Sequence, residues 1–498
     1  MINELSGRKS SNKSKIKAKN QEERLQKWKS QFEKLLGTEP KISDNPTETI
    51  INRELNIKKG NFTHKELDKV IDRLKYNKAC ALDNVPPEVW KSGQFNNLLL
   101  ELCNEVYNGA TIEKWSEGCI IPFPIKGVLE LTKNYGGITL TPIAAKIYNS
   151  LLLNRIQPEI EKVLRKNQNG FRRERSTVGQ ILTVRRVIEG VRAKNLQAVL
   201  LFVDFSKAFD SIHRGKMKKI LLAYGIPLET VNAIMALYNN SKAMVRSPDG
   251  DTEFFKILAG VLQGDTLAPF LFIICLDYIL RISIDKIPQN GLILTQSTSP
   301  RYPTTTLTDA DYADDLALFA NTTDEASALL HSLEKAAGDT GLYVNATKTE
   351  FMCFNTEGAI NTINGNALEQ VNSFIYLGSN ISSSENDVKA RIGKAWGALT
   401  KLNKIWKSSL PIHLKRNFFR ATVESVLLYG SSSWTLTKHL KARLDGAYTR
   451  MLRAVLNISW KEHPTKSRLY GNLPLYLNPF NPNECVLPVT AGVPSRSW

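Results

Sequence analysis

Two acidic groups in apolar surroundings are the residues of this chain best suited to chemistry. Asp204 closes an apolar run in Phe202-Val-Asp-Phe-Ser-Lys-Ala-Phe-Asp210, and Asp314 and Asp315 sit in Tyr312-Ala-Asp-Asp-Leu316 with apolar residues on either side. Carboxylates at strand ends are costly to bury unless cations or donors compensate them. Two divalent ions about 3.5–4 Å apart compensate them well, and such a pair drives in-line displacement at phosphorus by activating a hydroxyl and stabilising the leaving oxygen. Hard oxygen ligands suit Mg²⁺, which fills its shell with water and phosphate oxygens. Taken alone, Asp314-Asp315 would equally make a hairpin turn. The matching placement of Asp204 is what favours the metal reading.

These carboxylates need rigid elements behind them. Ala198–Val203 reads as a buried strand and residues 310–318 as a hairpin, each delivering its aspartates at one end. Around them the pattern predicts helices over 144–163, from the polar 167–175 loop through Arg192, and over 215–224, 229–240, 267–285 and 324–337. It also predicts a hairpin turning at 247–250 and strands near Phe351 and Phe374. Upstream, Leu25, Trp28, Phe32, Leu35 and Leu36 recur at helical spacing, and Thr63 to Glu66 resembles a capping box opening a helix over 63–75. Beyond Asp387 the chain turns helical: Ile392, Ala395, Trp396, Leu399, Leu402 and Trp406 share one side, opposite Lys394, Lys401 and Lys404. That lysine face fits a phosphate backbone and a plain solvated surface equally well. The sum is an α+β layout with a small, largely antiparallel sheet.

Composition narrows the partners. In 498 residues, 66 Lys and Arg stand against 48 Asp and Glu, a formal charge of +18 that suits phosphate-rich ligands. The stretch from Gly7 to Asn20 carries six basic residues and no acidic one, as a flexible arm would. Six scattered cysteines without zinc-type spacing argue for reduced thiols and an intracellular setting. The most apolar run, residues 267–276, contains Pro269 and is far short of the ~20 residues a spanning helix needs, so no membrane partner is expected.

The motifs together resemble the palm domain of reverse transcriptases, especially those of LINE-type non-LTR retrotransposons. The Asp204 segment resembles polymerase motif A, Gly260-Val-Leu-Gln-Gly-Asp-Thr-Leu-Ala-Pro269 motif B, and Tyr312-Ala-Asp-Asp315 motif C. Asn169-Gly-Phe-Arg-Arg-Glu-Arg-Ser-Thr177 resembles a fingers motif, Gly341 to Thr349 motif D, and Tyr376-Leu-Gly378 the primer grip. Order and spacing agree as well as wording.

This resemblance implies a right-hand polymerase. A basic linker and helical extension would span 1–62, an N-terminal helical region 63–102, fingers and palm 103–381, a helical thumb and post-thumb segment 382–470, and an irregular tail 471–498. It implies RNA-directed DNA synthesis, with an RNA template, a DNA primer, dNTPs and two Mg²⁺ ions. Asp204 and Asp314 would bind both metals with Asp315 assisting, the Phe205 carbonyl would complete one shell, and Lys348 would give a proton to pyrophosphate. Phe209, Gln263 and Gly264 would line the nucleotide pocket. Arg172, Arg173 and Arg175 would hold template phosphates, with Tyr376, Gly378, Lys394 and Lys401 also meeting nucleic acid.

Three features depart from the family. Where it usually carries an arginine after Asn-Tyr, this chain reads Asn134-Tyr135-Gly136, which removes a charge-assisted contact to the triphosphate. Ala81 replaces a usual glycine, and the segment before Thr63 is too short for the endonuclease of full-length elements. A second reading is therefore a catalytically weak remnant that still binds RNA or an RNA–DNA hybrid.

Phe209 yields the first prediction. A phenyl ring in the motif that faces the sugar crowds a ribose 2′-hydroxyl, whereas a ring that only fills the core does not touch it. Phe209→Ala should narrow the preference for dNTP over rNTP by up to ~1–3 kcal/mol, the usual worth of one small group in a pocket. Single-nucleotide incorporation with each substrate measures this, and unchanged discrimination in an active variant refutes it.

Overall fold

The structure, a computed structural model, describes residues 16–470 except 44, 126, 263, 288–290, 298, 300, 302–303 and 460. Gln263, most of the basic arm and the tail beyond Tyr470 lie outside the described residues. The described residues form two compact units: a larger one within 16–175 and 197–370, and a smaller one that joins 176–196 to 371–470.

The larger unit is built on a five-stranded sheet in the order Glu369–Gln370, Glu350–Phe354, Ala198–Val203, Asp315–Ala320, Asp309–Tyr312. All neighbours are antiparallel except the short Glu369–Gln370 strand. Ala198–Val203 is central and buried along its whole length, which is why it reads as an unbroken apolar run rather than an alternating one. Against the sheet lies helix Thr323–Gly338, and helix Ala268–Ser283 packs against that helix. The second is apolar nearly all round, with Pro269 in its first turn where a missing N–H costs nothing.

A second sheet pairs Tyr135–Leu140 with Glu117–Pro124, then Lys242–Ser247 in parallel, then the Gly250–Asp251 and Phe255–Lys256 strands. Helix Gln21–Leu36 covers it, burying Trp28, Phe32 and Leu36 against Ile120, Val245 and Phe255. Asn20 caps this helix, and Asp249 receives bonds from Arg24 Nε (2.6 Å) and Trp28 Nε1 (3.3 Å). The predicted capping box is present: Thr63 and Glu66 open helix His64–Asp72.

One buried ion cluster ties the larger unit together. Arg165 donates to Asp309 (2.7 and 2.8 Å), to Asp311 (3.3 Å) and to Asp285 (2.8 Å), while its backbone N–H donates to Asp277 (2.7 Å). Asp277 also accepts from Arg281 at 2.7 Å and from the Tyr224 hydroxyl. Burial alone would raise the Asp309 carboxyl, but the charge and hydrogen bonds of Arg165 outweigh it and hold it low. Asp311 is pushed well up, first by burial and then by the charge of Asp309.

In the smaller unit, helix Thr177–Ala193 joins helices Ser384–Lys401 and Lys438–Leu456 and the shorter helices between them. Ala395, Leu399 and Trp406 are buried in the core, with Ile392, Trp396 and Leu402 partly buried against it, as their shared side predicts; Val388, Phe419, Leu444 and Met451 complete this part of it. Buried Asp387 accepts from Arg185 (2.8 Å), Ser379 Oγ (2.6 Å), Trp434 Nε1 (2.7 Å) and Asn380 N–H (3.0 Å), so its charge is fully engaged. No helix among the described residues is long and apolar enough to cross a membrane.

Removing one partner of a buried ion pair leaves the other charge uncompensated. Arg165→Met should therefore lower stability by about 3–5 kcal/mol. A fall in the urea midpoint with an unchanged slope would report it; a midpoint within error of the parent would mean that the cluster is neutral to stability.

Candidate active site

Strand register brings the acidic residues together. Val203 pairs with Leu316 across antiparallel strands, so Asp204, just after Val203, and Asp315, just before Leu316, leave the sheet at the same end. Asp315 in turn pairs with Tyr312, which makes Ala313-Asp314 a two-residue turn. Ala313 has φ +56°, a left-handed conformation that costs an L-residue roughly 1–2 kcal/mol.

The Leu342 to Thr349 segment fastens the other side of Asp204. Its backbone pairs Phe205 with Val344, Asn345 N–H donates to the Asp204 carbonyl (2.8 Å), and Asp204 N–H donates to Thr349 Oγ1 (3.2 Å). Lys348 Nζ thereby stands 3.2 Å from Asp204 Oδ2, with most of its side chain in solvent. An exposed pair of this kind is worth little by itself.

The Asp314 carboxyl is raised above its usual range, mainly by desolvation and next by the charge of Asp204. Asp315 is pushed up to about 6 by desolvation and then by Asp314 and Asp204. Among the described residues no three acidic, His or Cys side chains converge closely enough to ligate one ion as they stand. The donor set nonetheless fits hard divalent cations: carboxylates from two strands, near enough to repel one another.

Beside this group, Phe209 stacks on Phe272 (4.4 Å, 20°) and meets Phe171 edge-on (6.0 Å, 84°). Its carbonyl accepts from Val261 N–H at 2.8 Å, tying the 260–264 loop to the short helix Ala208–Ser211. Gly264 has φ +100°, and a Cβ there would fall 2.1 Å from the Thr139 carbonyl oxygen. The close approach that demands glycine is thus to the protein's own strand.

The model of the family described as "Reverse transcriptase (RNA-dependent DNA polymerase)" matches residues 126–381, just over half the chain. This chain belongs to the reverse transcriptase family. It is 24% identical to a Pol polyprotein from type-1 retrotransposable element R2 of Nasonia vitripennis over 275 residues, 54% of this chain and 26% of that one. A probable RNA-directed DNA polymerase from transposon BS of Drosophila melanogaster is 24% identical over 416 residues, 78% of this chain and 44% of its own. The polymerase from mobile element jockey of Drosophila funebris is 25% identical over 355 residues, covering 66% and 36% respectively. The chain thus spans under half the length of each of these relatives. Reverse transcriptases generally use divalent metal and act on a template and primer of nucleic acid.

The motif resemblances of this reverse transcriptase divide in the structure. Asp204, Phe205, Asp314, Asp315 and Lys348 come together, with Phe209 beside the motif B loop. Arg172 has its guanidinium enclosed, donating to Glu161 Oε2 (2.7 Å) and to the carbonyls of Arg165 (2.6 Å) and Gln168 (3.0 Å). These bonds brace the loop. Arg173 and Arg175 are exposed, the latter bonded to Asn169 Oδ1 (2.9 Å).

In the smaller unit, Lys394 and Lys401 are exposed on helix Ser384–Lys401, and Tyr376 is only 2% exposed, so its ring is turned inward. The following Leu377-Gly378 turn has positive φ at both residues and is held by the Tyr429 hydroxyl on the Leu377 carbonyl (2.9 Å). Sequence reasoning passed over Gln168, whose buried amide bonds the Ala313 backbone. In the sequence it is indistinguishable from any polar loop residue.

The raised carboxyls carry a sign. A carboxyl whose folded pKa lies above its unfolded value binds more protons in the folded state, so stability falls as pH rises between the two. For Asp315 that window runs from its ordinary 3.8 to about 6. In EDTA, Asp315→Asn should raise the melting temperature at pH 7 but not at pH 3.5, and Mg²⁺ should stabilise the parent more than the variant. Calorimetry at the two pH values checks both, and an equal effect at each would remove repulsion as the cause.

Proposed function

We propose that this reverse transcriptase copies an RNA template by adding deoxynucleotides to a DNA primer 3′-hydroxyl, as a retrotransposon polymerase does. One observation supports this above all: strands of fixed register bring Asp204 close enough to raise the Asp314 and Asp315 carboxyls, beside the Lys348 ammonium.

In this reading Asp204 and Asp314 hold two Mg²⁺ ions, with Asp315 and the Phe205 carbonyl completing their shells. Bound there, the two ions supply the charge that makes the 3′-hydroxyl nucleophilic and stabilises the departing pyrophosphate. Lys348, already directed at Asp204, is the proton donor to pyrophosphate. Phe209 selects the deoxyribose, its ring backed by Phe272 so that it cannot retreat. Gln263 and Gly264 line the nucleotide pocket, and Arg173 and Arg175 meet template phosphates.

The larger unit would supply fingers and palm, with the Glu117–Pro124 sheet in the fingers and the Ala198–Val203 sheet in the palm. Helices after 382 would form the thumb. The Leu377-Gly378 turn would serve as primer grip with Tyr376 as its buried anchor, and Lys394 and Lys401 would follow the phosphate backbone. Cysteines without disulfides among the described residues suit an intracellular setting.

Gly136 favours a second reading, binding with weak catalysis. It stands opposite Phe123 in the Tyr135–Leu140 strand, where the family's arginine would bring a forked donor. Primer extension on an RNA template with dNTPs and Mg²⁺ separates the two. The parent should extend, and Asp204→Asn and Asp314→Asn should each lose all but about 10⁻³ of the rate, as losing a few kcal/mol of transition-state stabilisation implies, while hybrid affinity stays within twofold. A parent that binds but does not extend establishes the second reading; near-parental extension by either variant removes the metal assignment.

A further inference from the structure

Gln168 is completely buried, at 0% exposure, in a loop that is otherwise polar and largely open. A buried amide must find partners for both its ends. It finds them at the turn that carries Asp314. Its Oε1 accepts from Ala313 N–H at 2.8 Å and from Gly170 N–H at 2.7 Å, while its Nε2 donates to the Ala313 carbonyl at 3.2 Å. This is the one orientation of the amide that satisfies all three contacts, since two N–H donors require the oxygen and a carbonyl requires the nitrogen.

Those two bonds to Ala313 fix the peptide planes on both sides of one residue. The plane that follows it is the one that leads into Asp314. Ala313 is also the residue in the left-handed region, where an L-residue needs an outside contact to stay. Gly170 completes the fit, because a Cβ on it would lie 2.2 Å from Ala313 N. Neither side can shift without the other.

The loop is itself held in place. Gln168 bridges Asp311 in parallel, Asn169 N–H donates to the Asp311 carbonyl (2.9 Å), and Asn167 Nδ2 donates to the Asp309 carbonyl (3.2 Å). Arg165 grips the side chains of Asp309 and Asp311, and Arg172 donates to the Gln168 carbonyl at 3.0 Å. The 165–172 loop therefore runs along the strand and ends with its amide on the turn.

We infer that Gln168 is a positioning residue for the metal-binding carboxylates: it holds Ala313 left-handed and so aims Asp314, touching neither metal nor substrate. This rests on the reading of Asp204 and Asp314 as metal ligands. Groups that orient metal ligands from behind typically control metal affinity by roughly 10–100-fold. A glutamine that only filled space would affect folding and leave metal affinity per folded molecule unchanged.

The test uses the full chain with a primer–template duplex. Mn²⁺ affinity is read by electron paramagnetic resonance and the Mg²⁺ midpoint by extension, for Gln168→Leu, which keeps bulk and removes all three bonds. Mn²⁺ affinity should fall roughly 10–100-fold and the Mg²⁺ midpoint rise in step, with duplex affinity within twofold. Adding Ala313→Gly should recover part of the loss, since glycine takes positive φ without cost. If Gln168→Leu does not fold, Gln168→Glu, which keeps both acceptor bonds and loses the donor to the Ala313 carbonyl, is put through the same two measurements. A folded variant with parental Mn²⁺ affinity and Mg²⁺ midpoint overturns the inference. Asp314→Asn serves as control: if it too binds Mn²⁺ and extends normally, the metal-ligand reading fails; if it is inactive while Gln168→Leu is parental, only the role of Gln168 fails.

Discussion

The register of Val203 against Leu316 governs the arrangement of the larger unit's acidic residues. Side chains alternate faces along a strand, so a slip of one residue would turn every side chain of a strand to the opposite face and move Asp204 about 3.4 Å from its neighbours. Alternating polarity cannot guard against this, because Ala198–Val203 is buried on both faces. Beyond the strand ends, Phe205 bridging Val344 and the tight Ala313-Asp314 turn each fasten one of the two strands to a further neighbour.

Along one hairpin the structure treats aspartates in two opposite ways. Asp309 and Asp311 are buried within reach of the Arg165 guanidinium, which draws Asp309 into a stable ion pair. Asp314 and Asp315 repel one another beside Lys348, an ammonium largely given over to solvent. The first pair stabilises the strand; the second is held in a state that a cation would relieve. Only a few residues separate ion-paired carboxylates from the ones proposed to bind metal, and the difference lies in whether a guanidinium is built in against them.

The sequence was most legible where a single physical signal dominated. Unbroken apolarity marked Ala198–Val203, dominant apolarity marked helix Ala268–Ser283, and local hydrogen-bond chemistry marked the Thr63 capping box. The strands Glu117–Pro124 and Tyr135–Leu140 went unread, because Pro122, Pro124, Gly136 and Gly137 erase the usual strand composition and only pairing, with each other and with Lys242–Ser247, makes them strands. The surroundings of Arg172 were hidden for a related reason: an arginine in a polar loop looks like a free cation until Glu161 and three carbonyls are found around it. Gln168 was invisible because its partners are backbone atoms far along the chain, which no side-chain motif encodes. The three aspartates could be named from motifs, but their mutual repulsion could be seen only once register brought them together.

Helix Gln21–Leu36 has a consequence for how the protein can be divided. The sheet it covers does not own its inner layer: Trp28 and Phe32 supply that layer's aromatic bulk, and Gly137 leaves room for the Phe32 ring, since a Cβ there would fall 2.7 Å from it. A fragment beginning after Leu36 would keep every motif residue and still carry Ile120, Val245 and Phe255 uncovered, as an adhesive face toward other molecules. The boundary at which this polymerase can be excised as a well-behaved soluble piece is therefore set by two aromatic rings near its N-terminus, well upstream of the first residue the family model recognises.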